Sequence, residues 1–161
     1  MSKILDGFYV ADSHIHGKGV FTKRAFKRGE VIFIFKGKLI KRVNKTKKDV
    51  FANPMAIGVD KNTWVDPKGF FQYINHSCDP NMGVKGKVTF VALKNIKPGD
   101  ELTFDYSINE ADINWSMKCG CGSRLCRKAI KSTQFLPKKT YRKYLPYIPR
   151  YFQKVYNKYN G

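Results

Sequence analysis

The chain has 161 residues, a formal charge of +19 and four cysteines. That length fits one domain able to bury roughly 70% of its unfolded surface, so a core does not depend on disulfides. The longest apolar run, over 31–35, is far too short for a membrane-spanning helix, and the positive surplus favours polyanionic partners.

In chain order, the opening "MSKILDGFYV" lacks the long apolar core of a signal peptide, which points to an intracellular, reducing setting. There, four cysteines bind metal or stay free. β-Branched and aromatic residues predict short strands over 8–11, 20–22, 31–35, 88–93 and 102–104. The turn signals "KRGE" and "KPGDE" stand immediately before two of them. Residues 41–48, "KRVNKTKK", read as a basic loop. After Asp112 there is no acidic residue but twelve Lys or Arg. Residues 137–145 predict one short helix, and Pro149 sits well at the first turn of a second, running to about Tyr159. Leu145, Ile148, Tyr151, Phe152, Val155 and Tyr159 recur at helical spacing, as a packing face does. The class expected is mainly β, a β-rich α+β fold of several small sheets with a C-terminal helical cap.

Chemistry concentrates in two places. "INHSCDPN" holds Asn75, His76 and Cys78, and "CGCGSRLC" holds Cys119, Cys121 and Cys126. A structural zinc takes four tetrahedral ligands, usually thiolate or imidazole. The later stretch supplies three, and Cys78 is the one cysteine left, with His76 as a competitor. Free thiols are one alternative and a redox pair at Cys119 and Cys121 another, although a disulfide across a single residue is strained. With zinc bound, Cys78, Cys119, Cys121 and Cys126 staple the later segment against the loop that holds Asn75 and His76.

Four motifs in order then resemble the SET-domain protein lysine methyltransferases. They are Gly17-Lys18-Gly19 with Val20-Phe21, "NHSCDPN", "ELTFDY" (Glu101 to Tyr106), and "CGCGSRLC" as a zinc-binding post-SET segment. The resemblance spans residues 7–128 and implies a fold of small sheets with a knot-like threading of the C-terminal segment. It divides the chain into a SET domain over 7–107, a post-SET zinc segment over 115–131 and a basic, aromatic helical tail over 132–161. It further implies S-adenosyl-L-methionine as methyl donor, a protein lysine as acceptor and one structural Zn2+. By the same carry-over Gly17, Lys18 and Gly19 contact the donor through their backbone, Asn75 and His76 hold its two ends, and Tyr106 stands at the reacting centre. Phe104 occupies a position where Phe accompanies di- or trimethylation, and Phe104, Tyr9 and Trp115 are candidates for the lysine channel. The chain departs from the pattern at Gln72, where an Arg is common, and at Arg127-Lys128, where Arg-Gly is usual.

The expectation is therefore an intracellular methyltransferase, nearly a bare catalytic domain, acting on a histone or another nucleic-acid-associated protein. Its basic surface suits nucleic acid or chromatin and no membrane contact is expected. Oligomeric state is not written in the sequence. The competing expectation is a catalytically silent, zinc-containing module that binds nucleic acid through the basic tail, with phosphates on Lys and Arg and bases stacked on aromatics.

Overall fold

The computed structural model describes residues 5–41 and 54–161; most of the "KRVNKTKK" loop lies outside them. Twelve short strands among these residues form four small sheets. β1 (Phe8–Asp12) and β2 (Lys18–Thr22) make an antiparallel hairpin with Phe8 opposite Thr22. β3 (Val31–Ile34) starts where the first turn signal ends, and β4 (Gly37–Lys41), β5 (Ile57–Asp60) and β6 (Thr63–Pro67) form a three-stranded sheet in the order β4-β6-β5. β7 (Asn75–His76), β8 (Met82–Lys85), β9 (Thr89–Ala92) and β10 (Thr103–Phe104) join β3 in a mixed sheet ordered β3-β9-β8-β10-β7. β11 (Ser116–Lys118) and β12 (Ala129–Lys131) form the last pair. The expected strands are present, while β4 to β8, β11 and β12 were not anticipated.

The two turn signals build the same device. Glu30 N–H donates to Lys27 O at 2.9 Å and Asp100 N–H to Lys97 O at 3.1 Å, each turn closing through a glycine at positive φ, Gly29 at 85° and Gly99 at 86°. In each, the acidic residue's carboxylate also accepts the N–H of the turn's lysine. Phe26 and Ile96, just before the turns, exchange backbone hydrogen bonds of 3.0 and 2.9 Å, so the turns lock together.

Phe33 organises the core. Its ring lies 5.7 Å from Phe8, 5.3 Å from Phe71 and 5.2 Å from Phe90, joining the hairpin, the 3-10 turn Gly69–Tyr73 and the mixed sheet. Burial of such a ring contributes about 1.5–3 kcal/mol. The core continues without a break into the C-terminal helices α1 (Lys138–Tyr144) and α2 (Arg150–Asn160). Val84 N–H donates to Tyr147 O at 2.9 Å. A Cβ at Gly58 would stand 2.8 Å from the Phe152 ring, and one at Gly83 2.7 Å from Tyr147 Cβ. Tyr141 and Tyr156 stack at 3.6 Å, pinning one helix to the other.

The expected stripe over Leu145 to Tyr159 is covered in part. Ile148, Phe152 and Tyr156 are buried at spacing i, i+4, i+8, while Leu145 and Tyr159 are exposed and Tyr151 and Val155 half-buried. Tyr151, Phe152, Val155 and Tyr156 share one broad arc of the helix, and Tyr159 stays exposed because it stands at the helix end. Among the described residues no helix is long and apolar enough to cross a membrane.

Candidate functional site

Strand β10, next to the edge strand β7, runs parallel to both neighbours, with Thr103 opposite Asn75 and Phe104 opposite His76 on β7, and Phe104 opposite Met82 on β8. This register brings Asn75, His76 and Tyr106 to one sheet edge, facing the turn between β1 and β2. Asn75 Nδ2 donates to His16 O at 3.1 Å and Lys18 O at 3.0 Å, fixing that turn from the outside. Lys18 Nζ points away, pairing with Asp12 at 2.9 Å on the exposed side, so the turn presents its backbone to the site.

The two glycines of the turn have different reasons to be glycine. Gly17 has φ +49° with open space where a Cβ would stand, so conformation is its requirement. Gly19 is crowded: a Cβ would lie 2.3 Å from Glu101 Oε1 and 3.1 Å from Ser13 Cβ. Glu101 accepts from Ser13 Oγ at 2.8 Å and from Asn75 Nδ2 at 2.8 Å, while its own carbonyl accepts from Asn81 Nδ2 at 2.7 Å. Ser13 Oγ in turn accepts the N–H of Ile15 at 2.9 Å. Glu101 thus joins the hairpin turn, β7 and the loop before β8. Sequence reasoning took Glu101 only as the opening of the "ELTFDY" motif, with no role of its own, and passed over Ser13; the available signal was a second carboxylate beside the turn-capping Asp100 in a strongly basic chain.

Tyr106 is held on both sides. Its N–H donates to His76 Nδ1 at 3.1 Å, and its hydroxyl donates to Ile74 O at 2.8 Å. Burial, with the nearby Glu101 carboxylate, pushes the phenol well above its ordinary range, so it stays protonated. Among the described residues its ring contacts are with His76 (5.3 Å) and Phe104 (4.9 Å), not with Tyr9 or Trp115. Phe104 is buried between Phe90 and Tyr106. Tyr9 stacks on Phe21 at 5.4 Å, half exposed, and Trp115 N–H donates to Asp112 O as the chain enters the cysteine segment.

Asp105, between Phe104 and Tyr106, is fully buried and saturated. It receives Arg127 through two nitrogens at 2.6 and 2.7 Å, Tyr144 Oη at 2.9 Å and the N–H of Ser107 at 3.1 Å. A bidentate Arg–carboxylate pair with further donors meets the conditions under which a buried charge is tolerated. Arg127 follows Cys126 and Tyr144 ends α1, so the cysteine segment and the helical cap both anchor on one carboxylate.

The cysteines converge beside this anchor. His76, Cys78, Cys119 and Cys121 place their ligand atoms within 4.8 Å of one another. Cys78 and Cys119 sulfurs are 3.7 Å apart, close to the ~3.8 Å edge of a tetrahedron with ~2.3 Å metal–sulfur bonds. Cys126 lies at the margin, its thiol against those of Cys119 and Cys121 and 3.6 Å from Cys119 O. His76 is the weaker ligand. Burial brings it down to about 4, keeping it neutral; its Nδ1 accepts from Tyr106, so Nε2 carries the hydrogen and points it at Cys78 Sγ, 3.3 Å away. Arg127 N–H also donates to Cys78 Sγ at 3.3 Å. Burial opposes ionisation of Cys121, but N–H groups of Cys78 and Ser123 and the neighbouring thiols outweigh it and bring it to about 7. A cluster of sulfurs ringed by N–H donors suits a tetrahedral thiophilic ion, with the imidazole supporting from outside.

Known proteins share this sequence pattern and fold. The chain is 34% identical over 134 residues to the histone-lysine N-methyltransferase trithorax of Drosophila virilis, and 34% identical over 133 residues to histone-lysine N-methyltransferase 2B of Homo sapiens. Each match covers 73% of this chain but 3% and 5% of those much longer relatives. Among solved structures, KRYPTONITE in complex with mCHH DNA, an H3(1-15) peptide and SAH superposes with TM-score 0.62 at 24% identity, over 76% of this chain and 29% of that one. A humanized mutant of the Chaetomium thermophilum Polycomb Repressive Complex 2 superposes with TM-score 0.55 at 26% identity, over 63% of this chain and 15% of that one. The SET domain family matches residues 17–107, from the first glycine of the hairpin turn to one residue beyond Tyr106. With those residues gathered at one sheet edge, the chain belongs to the SET domain family.

Proposed function

We propose that the chain is a protein-lysine N-methyltransferase that moves a methyl group from S-adenosyl-L-methionine to a lysine side chain. The observation that carries this is the convergence of the Gly17–Gly19 turn, Asn75, His76 and Tyr106 around β7 and β10. The histone-lysine N-methyltransferases among its relatives, and SAH bound in two of the structural neighbours, support donor and acceptor. They also support a histone or other chromatin protein as substrate and an intracellular setting.

In this reading the backbone of Gly17, Lys18 and Gly19 receives the donor, with Asn75 and His76 at its ends. The lysine nitrogen attacks the methyl carbon as the carbon–sulfur bond breaks and the electron pair leaves on sulfur. Alignment of such a displacement is worth ~7–11 kcal/mol. Freeing the amine of its proton at pH 7 costs ~4.6 kcal/mol from an ordinary lysine, and the cationic donor beside a desolvated channel lowers that cost. Asp105 cannot take the proton, because Arg127 and Tyr144 occupy it, so the proton leaves to water. Tyr106 donates to Ile74 O and keeps its oxygen lone pairs for the methyl group or the amine. Phe104 and Tyr106 wall the channel, with Tyr9 and Trp115 as outer candidates. Glu101 is a positioning residue that sets the turn through Asn75 and Ser13.

Four thiolates, Cys78, Cys119, Cys121 and Cys126, would hold Zn2+, which supplies cross-linking and no chemistry of transfer. In domain terms, 7–107 carries the site, 115–131 is the metal-held segment and 132–161 is the cap.

The test is transfer of labelled methyl to histones and nucleosomes, followed by mass spectrometry. Tyr106→Phe should lower kcat at least ~100-fold with donor affinity kept, and Glu101→Gln should weaken donor binding more than kcat. Absence of donor binding in zinc-loaded protein would overturn the proposal.

A further inference from the structure

The helical cap carries a feature that methyl transfer does not use. Residues 113–161 contain twelve Lys or Arg and no acidic residue, and all but Arg127 of those cations are exposed. On this surface two aromatic rings stand out of the core together. Phe135 is 39% and Tyr159 52% exposed, with centroids 5.5 Å apart at 66°. Lys131 Nζ lies 5.3 Å from the Phe135 centroid. The pair is held rigidly, since Asn160 Nδ2 donates to both Gln134 O and Tyr156 O at 3.0 Å and ties the end of α2 to the 3-10 turn Thr133–Phe135. Lys158 precedes Tyr159, and Lys138 follows Phe135 by three positions; both are exposed.

Half-exposed rings flanked by cations form the elements of a single-strand nucleic acid site, in which bases stack on aromatics and phosphates meet Lys. Tyr159 lies on the side of α2 that buries Phe152 and Tyr156, yet at the helix end it and Phe135 keep much of their ring surface in solvent. We propose that Phe135 and Tyr159, with Lys131, Lys138 and Lys158, form a docking surface for single-stranded DNA or RNA on the cap. The charge complementarity selects a polyanion, and the two rings select unpaired bases over a duplex. This goes beyond methyl transfer and stands or falls independently of it.

The experiment is fluorescence anisotropy with labelled oligothymidylate and with a duplex of equal length, at two salt concentrations. The expected result is tighter binding of the single strand and about a tenfold or greater loss in a Phe135→Ala/Tyr159→Ala variant. A Lys131→Ala/Lys138→Ala/Lys158→Ala variant should reduce the slope of log K against log salt by about 2. A Phe135→Leu/Tyr159→Leu variant keeps apolar volume, and should lose binding while its thermal unfolding stays close to wild type. Equal affinity for duplex, full binding by the leucine variant, or no binding at 100 mM salt would each overturn the proposal.

Discussion

Two neighbouring stretches near the C-terminal end are held by different physics. Over 115–131 a single residue, Ile130, is buried, while Met117 and Leu125 face solvent. The pair β11–β12 is too small to stand alone. That stretch depends on its cysteines and on Arg127. Over 132–161 the chain buries Leu136, Tyr141, Tyr144, Ile148, Phe152 and Tyr156 in the main core and has no cysteine. Order can thus come from a few strong bonds or from many weak contacts, and Asp105 is where the two meet.

The strongest way to break this comparison is to remove the metal. A structural zinc contributes ~10–16 kcal/mol of apparent binding, so chelation should abolish hydrogen-exchange protection in β11 and β12 while α2 keeps its own. Simultaneous loss in both would make them one cooperative unit. Next in size, Phe152→Ala should cost about 3–5 kcal/mol by opening a cavity against Gly58, lowering the thermal midpoint while the metal-to-protein ratio stays at one. Tyr144→Phe removes one hydrogen bond to a buried carboxylate, about 1.5–3 kcal/mol. Because Asp105 also holds Arg127, metal affinity should fall with stability; an unchanged affinity would mean the two stretches are independent.

The smallest effect sharpens the picture in the opposite direction. Lys128 has φ +64°, in the left-handed region, at the position where the related motif uses glycine. Lys128→Gly relieves about 1–2 kcal/mol of strain against about 0.5–1 of added chain entropy, so chemical denaturation should show a gain of about 0–1.5 kcal/mol. A loss would mean that the lysine side chain contributes more than its backbone costs.

The parts legible in the sequence were those with strong local chemistry. β1, β2, β3, β9, β10 and both helices were anticipated to within a residue or two because their apolar runs end at Gly or Pro signals. The sheet β4-β6-β5 was not, since "GKLIK" has one face that is only partly covered and no alternation to read. β7 is two polar residues, Asn75 and His76, buried only because β10 arrives beside them from far along the chain. The role of Glu101 escaped notice for a related reason: a lone carboxylate says nothing until the fold brings Ser13, Gly19 and Asn75 around it. The gathering of the cysteines was legible, whereas the hydrogen that His76 gives to Cys78 depends on Tyr106 occupying its other nitrogen.

The insertion of β10 between β7 and β8, parallel to both, has a consequence for synthesis. Parallel neighbours cannot be closed by a hairpin, and Asp105 waits for partners at 127 and 144. At roughly 5–20 residues per second, the chain from Tyr106 to Tyr144 takes about 2–8 s to emerge. For that interval a nascent chain carries Asn75, His76 and Tyr106 while Asp105 still lacks the partners that anchor it.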